Sequence, residues 1–147
     1  MSVRRKNSGG GIALYWDTSA LLSVVWRDAH SAAAMRHAAA NGVHLVSSLA
    51  WVELHAVLAR IQREGAASAV LVDAAREAVA SGPWRHLSAI PRRDVALELA
   101  EKWPLRGADL WHLALVKTLQ TDLGPLKLIT FDARLSAAAE GEALAAR

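Results

Sequence analysis

Short, largely apolar runs that break off at polar residues constrain this chain most. Ile12-Ala13-Leu14-Tyr15-Trp16 stops at Asp17, residues 43–46 give way to Ser47-Ser48, and residues 126–131 stop at Asp132. Such runs are too short for buried helices and fit strands covered on both faces. A fourth, weaker candidate covers residues 84–90, between Gly82-Pro83 and Pro91. The intervening segments are rich in Ala and Leu and have helical periodicity: residues 19–28, 31–41, 48–64, 66–81, 92–102, 107–120 and 133–144. Asn41-Gly42, Gly65, Ser81-Gly82-Pro83 and Gly124-Pro125 supply stops. Strands separated by helices pair in parallel through right-handed crossovers, so the expected fold is α/β.

Bulk properties narrow the class further. At 147 residues and 53% hydrophobic content, the chain is expected to form one domain with a substantial core. The absence of cysteine excludes disulfides and thiolate metal sites. No apolar run approaches a membrane span, and the basic start lacks the long apolar stretch of a signal peptide. A cytoplasmic protein with no membrane partner is expected. The net charge of +3 invites a nucleic-acid reading, but Arg4, Arg5 and Lys6 account for it. They lie in residues 1–11, which end in three glycines and read as a flexible leader to a domain of residues 12–147. Without them fourteen basic residues face fourteen acidic ones, so bulk charge does not identify a partner.

Four carboxylates stand out against this apolar background. Asp17 and Asp132 end strand candidates, and sites in open α/β sheets form beyond the carboxyl ends of strands. Glu53 projects on the side of Leu49, Ala56, Val57 and Arg60, and Asp109 shares a side with His112, Leu113 and Val116. Each acid has a plain alternative. Asp17 and Asp132 could cap helices, Asp109 could favour a helix N-terminus, and Glu53 could pair with Arg60 or Arg63. Unpaired buried carboxylates are costly, whereas several of them sharing a divalent cation are tolerated. The joint placement therefore points to a metal-dependent site.

Taken in series, these segments resemble the PIN-domain family, and within it the VapC-type toxins of toxin–antitoxin pairs. The marks are Asp17-Thr18-Ser19-Ala20-Leu21, the stretch from Ser48 through Glu53 to Arg60, Arg106-Gly107-Ala108-Asp109 with His112-Leu113-Ala114, and Ile129-Thr130-Phe131-Asp132 with Arg134-Leu135. Leu110-Trp111 is bulkier than the family's usual small aliphatic pair. The resemblance implies a single PIN-like domain, with a parallel sheet of four or five strands flanked by about seven helices. It also implies a Mg²⁺- or Mn²⁺-dependent endoribonuclease with Asp17, Glu53, Asp109 and Asp132 as catalytic acids. Asp17, Asp109 and Asp132 are the implied metal ligands. The implied partners are RNA, a second copy of the chain in a homodimer, and a cognate antitoxin whose tail occupies the groove.

Oxygen-only donors suit a hard cation, which would activate water for in-line attack at phosphorus and leave 5′-phosphate and 3′-hydroxyl ends. The hydroxyls of Ser19 and Thr130 are expected to orient ligands or waters. Arg106 is a candidate RNA-phosphate contact. His112 is either a general base or a buried, hydrogen-bonded structural histidine. Trp16 is expected in the strand core, Trp111 under the site helix, Trp51 pointing away from Glu53, and Trp26 at the end of the first helix. Two other functional classes remain. One is a non-catalytic PIN-like module that binds RNA or protein. The other is an aspartate-nucleophile phosphatase, for which the second aspartate is missing because Ser19 occupies its place.

Overall fold

The computed structural model describes residues 11–147, so the expected leader lies outside the described residues except for Gly11. In chain order the elements are β1 (Ala13–Trp16), α1 (Thr18–Val25), α2 (Ser31–Ala38), β2 (Val43–Ser47), α3 (Ser48–Arg63) and α4 (Ala69–Ser81). β3 (Trp84–Leu87), α5 (Arg93–Lys102), α6 (Gly107–Leu123), β4 (Leu126–Ile129) and α7 (Ala133–Gly141) follow. Among the described residues these make a four-stranded, all-parallel sheet in the order β3-β2-β1-β4, with seven helices. The expected α/β fold, with four strands, is the observed one. A single bridge from Leu128 to Ala145 lays the C-terminal segment along the outer edge of β4.

Where boundaries differ from expectation, local polar side chains account for several shifts. β4 stops at Ile129 rather than residue 131, because the Thr130 hydroxyl turns back to accept from the Asp132 amide (3.1 Å). α1 begins at Thr18 because Asp17 caps it, and ends at Val25 rather than residue 28. There Asp28 accepts from the His30 amide (2.7 Å) and the Asp28 amide donates to Ser31 Oγ (2.8 Å). That turn offers the backbone an alternative to helix. The fourth strand candidate is real but ends at Leu87 rather than residue 90.

Side-chain alternation divides the core into two layers. Ala13, Tyr15, Leu45, Leu126 and Leu128 face α5, α6 and α7 through Leu99, Leu113, Leu115, Leu135 and Ala138. Leu14, Trp16, Val46, Trp84 and Ile129 face α1 to α4 through Leu21, Ala34, Leu54, Leu58, Val72 and Val79. Alternating strand faces, buried on both sides, explain the continuous apolar runs. Trp16 is fully buried, as expected for strand core, and its indole N–H donates to His44 Nδ1 (3.0 Å). Trp26 is the C-cap of α1. Trp111 is half-buried against the α5–α7 layer, while Trp51 turns its ring onto His55 and His86.

The connections place the site. From β1 the chain crosses to β2 and β3 on one side, then returns past β1 to β4 on the other. Right-handed crossovers send the two sets of helices to opposite faces. They diverge at the carboxyl ends of β1 and β4, which is where a crevice forms in this class of fold. No helix among the described residues is long and apolar enough to cross a membrane.

A clasp at the other end of α7 ties the α5–α7 layer together. The Glu142 side chain, 4% exposed, accepts from Trp103 Nε1 (2.8 Å), Lys102 Nζ (2.7 Å) and Lys117 Nζ. Burial pushes its carboxyl up, but these donors outweigh burial and hold it at about 2, against an ordinary 4.5. The clasp therefore stabilises the fold fully above the ordinary value and is lost as pH falls through about 2. Glu142→Gln should cost about 1–3 kcal/mol at pH 7. The cost should shrink towards pH 2 in urea denaturation; a pH-independent cost would count against the clasp.

Candidate active site

The register sets the centre of the site. Trp16 pairs with Ile129, so Asp17 and Thr130 leave their strands level with one another, and the Asp17 amide donates to Ile129 O (3.2 Å). Asp17 is 3% exposed, and both of its carboxylate oxygens accept hydrogen bonds. Oδ1 accepts from the Ala20 amide (2.8 Å), capping α1, and from Ser19 Oγ (2.8 Å). Oδ2 accepts from Thr130 Oγ1. Ser19 Oγ in turn accepts from the Phe131 amide (3.0 Å). The capping alternative expected for Asp17 is thus realised, by a carboxylate that stands at the strand rim.

The other acids arrive from helices. Asp132 caps α7 by accepting from the Leu135 amide at Oδ1 (2.9 Å), and its Oδ2 has no partner among the described residues. Asp109 lies in the first turn of α6, half-buried, with neither oxygen hydrogen-bonded among the described residues. Glu53, from the second turn of α3, does not pair with Arg60 or Arg63. It accepts from Thr18 Oγ1 (2.8 Å) and His112 Nε2 (3.3 Å) at Oε1. Arg106 is exposed at the N-cap of α6 and leaves that helix without a side-chain cap.

Tyr15 and His112 form a buried support behind Glu53. The Tyr15 hydroxyl meets His112 Nδ1 at 2.7 Å, and both side chains are buried. An ionised carboxylate can only accept, so Nε2 must carry the proton directed at Glu53. In the neutral imidazole Nδ1 is then the acceptor, and the tyrosine donates to it. His112 is therefore the buried, hydrogen-bonded structural histidine, with both ring nitrogens engaged.

Electrostatics show that the acids sense one another. Burial pushes Asp109 up, followed by the charges of Asp132 and Asp17 and a smaller contribution from Glu53; His112 opposes them. Asp17 is raised by burial, which its bonds from Thr130, Ala20 and Ser19 and the nearby His112 do not fully offset. Glu53 is lowered, chiefly by the His112 hydrogen bond acting against burial, with help from Thr18. Burial raises Tyr15, as do the charges of Asp17 and Glu53, while the Ser47 hydroxyl pulls it back. None of the four acids pairs with lysine or arginine among the described residues. Equally, no group of three His, Asp or Glu side chains there converges closely enough to surround an ion directly.

Two participants escape a reading of the sequence. Thr18 stands in the Asp17-Thr18-Ser19 segment, where its neighbours draw the attention. Tyr15 reads as ordinary strand core, and only the approach of α6 to β1 gives its hydroxyl a role.

A parallel α/β sheet with Asp17 and Asp132 where its strands end at the switch point, and Asp109 close enough to feel their charges, defines a class. Residues 14–141 match the PIN domain model, and the chain belongs to the PIN-domain family. No curated protein matches it in sequence. Its structure is similar to that of PAE2754 from Pyrobaculum aerophilum, at 21% identity and TM-score 0.59, over 96% of this chain and 90% of that one. It is also similar to VapC20 of Mycobacterium tuberculosis, a sarcin-ricin loop cleaving toxin. There the identity is 21% and the TM-score 0.54, over 85% of this chain and 94% of that one. At these identities the likeness is one of fold.

Thr130→Val keeps the shape of residue 130 but removes a donor to Asp17. The Asp17 carboxyl should then take up a proton at higher pH than in the wild type, read by carbon-detected NMR titration; an unchanged or lower midpoint would contradict the assignment. Tyr15→Phe leaves a buried imidazole nitrogen unpaired. It should lower stability by about 1–3 kcal/mol in chemical denaturation.

Proposed function

We propose that this protein is a divalent-cation-dependent endoribonuclease, the toxin of a toxin–antitoxin pair, which hydrolyses RNA phosphodiesters to 5′-phosphate and 3′-hydroxyl ends. The observation that best supports this reading is the set of four carboxylates at the strand-end rim, where Asp109 feels the charges of the other three and none pairs with lysine or arginine among the described residues. Such a crevice repels phosphate on its own and attracts cations. Membership of the PIN-domain family and the similarity in fold to a sarcin-ricin loop cleaving toxin agree with it.

The donor set fits a hard cation. All four groups offer carboxylate oxygen, and Asp109 and one oxygen of Asp132 are left without hydrogen-bond partners among the described residues. Mg²⁺ is usually held by one or two carboxylates and several waters, so a cage of three carboxylates is not required. Asp17, Asp109 and Asp132 would hold Mg²⁺ or Mn²⁺. When bound, such an ion polarises a phosphoryl oxygen and makes water more acidic.

The chain's own groups supply the rest. Ser19 and Thr130 fix both oxygens of Asp17, so that it meets its ligand already oriented. Glu53 is kept ionised by His112 and Thr18 and takes the proton of the attacking water, while the departing 3′-oxygen takes one from solvent to become the 3′-hydroxyl. Neutral His112 has no free nitrogen for that proton, because Tyr15 meets Nδ1 and Nε2 faces Glu53. Arg106, exposed at the start of α6, meets the RNA backbone. The protein works in the cytoplasm as a homodimer, with an antitoxin tail covering the crevice until the toxin is released.

The test is cleavage of a mixed RNA panel with and without Mn²⁺, by wild type and Asp17→Asn. Cutting should require the ion and fall by roughly a hundredfold or more in the variant. If neither protein cuts any RNA while the wild type still binds an antitoxin-like partner, a non-catalytic PIN module replaces the enzyme.

A further inference from the structure

The crevice has an aromatic neighbour that the acid chemistry does not use. Phe131 lies between Thr130 and Asp132, and its amide is tied to Ser19. One side of Phe131 packs into the layer formed with α1 to α4. The His30 ring lies flat against it, with centroids 4.7 Å apart and planes 9° from parallel. His30 itself is exposed. Its backbone is pinned: the His30 amide donates to Asp28 Oδ1 (2.7 Å), and Asp28 Oδ2 accepts from the buried Ser23 (2.7 Å). The imidazole makes no hydrogen bond among the described residues and does not cap α2. A polar ring is thus held face-on over a phenyl ring one residue from two site groups, with its outer surface towards solvent.

Stacking on an exposed, pre-positioned aromatic face is how proteins hold unpaired bases, and every base has a face to offer. An acidic crevice by itself gives RNA nothing favourable to grip except through a cation. We propose that His30, backed by Phe131, is a stacking platform for one unpaired nucleobase flanking the scissile phosphate, and so helps to select single-stranded RNA and its register. This rests on the ribonuclease reading above. His30 is a binding residue here, and Phe131 positions it.

The experiment measures kcat and KM on a short single-stranded RNA with Mn²⁺, for wild type, His30→Ala and His30→Tyr. His30→Ala should raise KM about 10- to 100-fold with little change in kcat, and His30→Tyr should recover most of the loss. Abasic substitutions walked along the RNA supply the discriminating readout. In the wild type one position beside the cut should show the same loss, and in His30→Ala that position should cause no further loss. His30 is exposed, so the variants should fold as the wild type does, which circular dichroism checks. If wild type cuts RNA but His30→Ala leaves KM unchanged, or if its loss adds to every abasic loss, the platform is wrong and the nuclease stands. If wild type cuts nothing, both fail.

Discussion

The Asp17 carboxylate holds the site end of this molecule together. It caps α1 through the Ala20 amide, receives the hydroxyls of Ser19 and Thr130, and so joins the end of β1 to the segment leaving β4. Without that junction the two strand ends would present unpaired polar groups to a buried rim. Desolvation is partly compensated by three hydrogen bonds, yet the group remains harder to ionise than an ordinary aspartate. The fold thus accepts a destabilised charge at the point where its two sets of helices part.

The remaining acids extend the same conflict. Asp109 is opposed by burial first, then by Asp132, Asp17 and Glu53, with His112 acting in its favour. Glu53 escapes because Thr18 and the Tyr15–His112 pair stabilise its charge. The cluster is therefore graded: Glu53 holds its charge firmly, whereas Asp17 and Asp109 are harder to ionise than an ordinary aspartate. Elsewhere the chain does the opposite. Glu142 is matched with two lysines and an indole, and contributes stability at the far side of the α5–α7 layer.

Much of this is legible in the sequence because the physics is local. Apolar runs closed by Asp17 and Asp132, and helix stops at glycine and proline, suffice for the α/β order and for the acids on one rim. The strand ends are less legible. Whether Thr130 continues β4 or turns to serve Asp17 depends on the register between β1 and β4, which no local pattern reveals. The partner of Glu53 was hidden for the same reason. Arg60 and Arg63 are near in sequence, but Thr18 and His112 are brought in by α1 and α6. The His30–Phe131 stack joins residues a hundred positions apart and leaves no periodic trace.

A divalent cation bound here should relieve the mutual repulsion among these carboxylates. Thermal unfolding of wild type and Asp109→Asn, with chelator and with Mn²⁺, measures this directly. In chelator at neutral pH Asp109→Asn should melt higher than wild type, and Mn²⁺ should raise the wild-type midpoint while moving the variant's far less. If the variant is no more stable in chelator and Mn²⁺ leaves the wild-type midpoint where it was, the acids do not form a cation site.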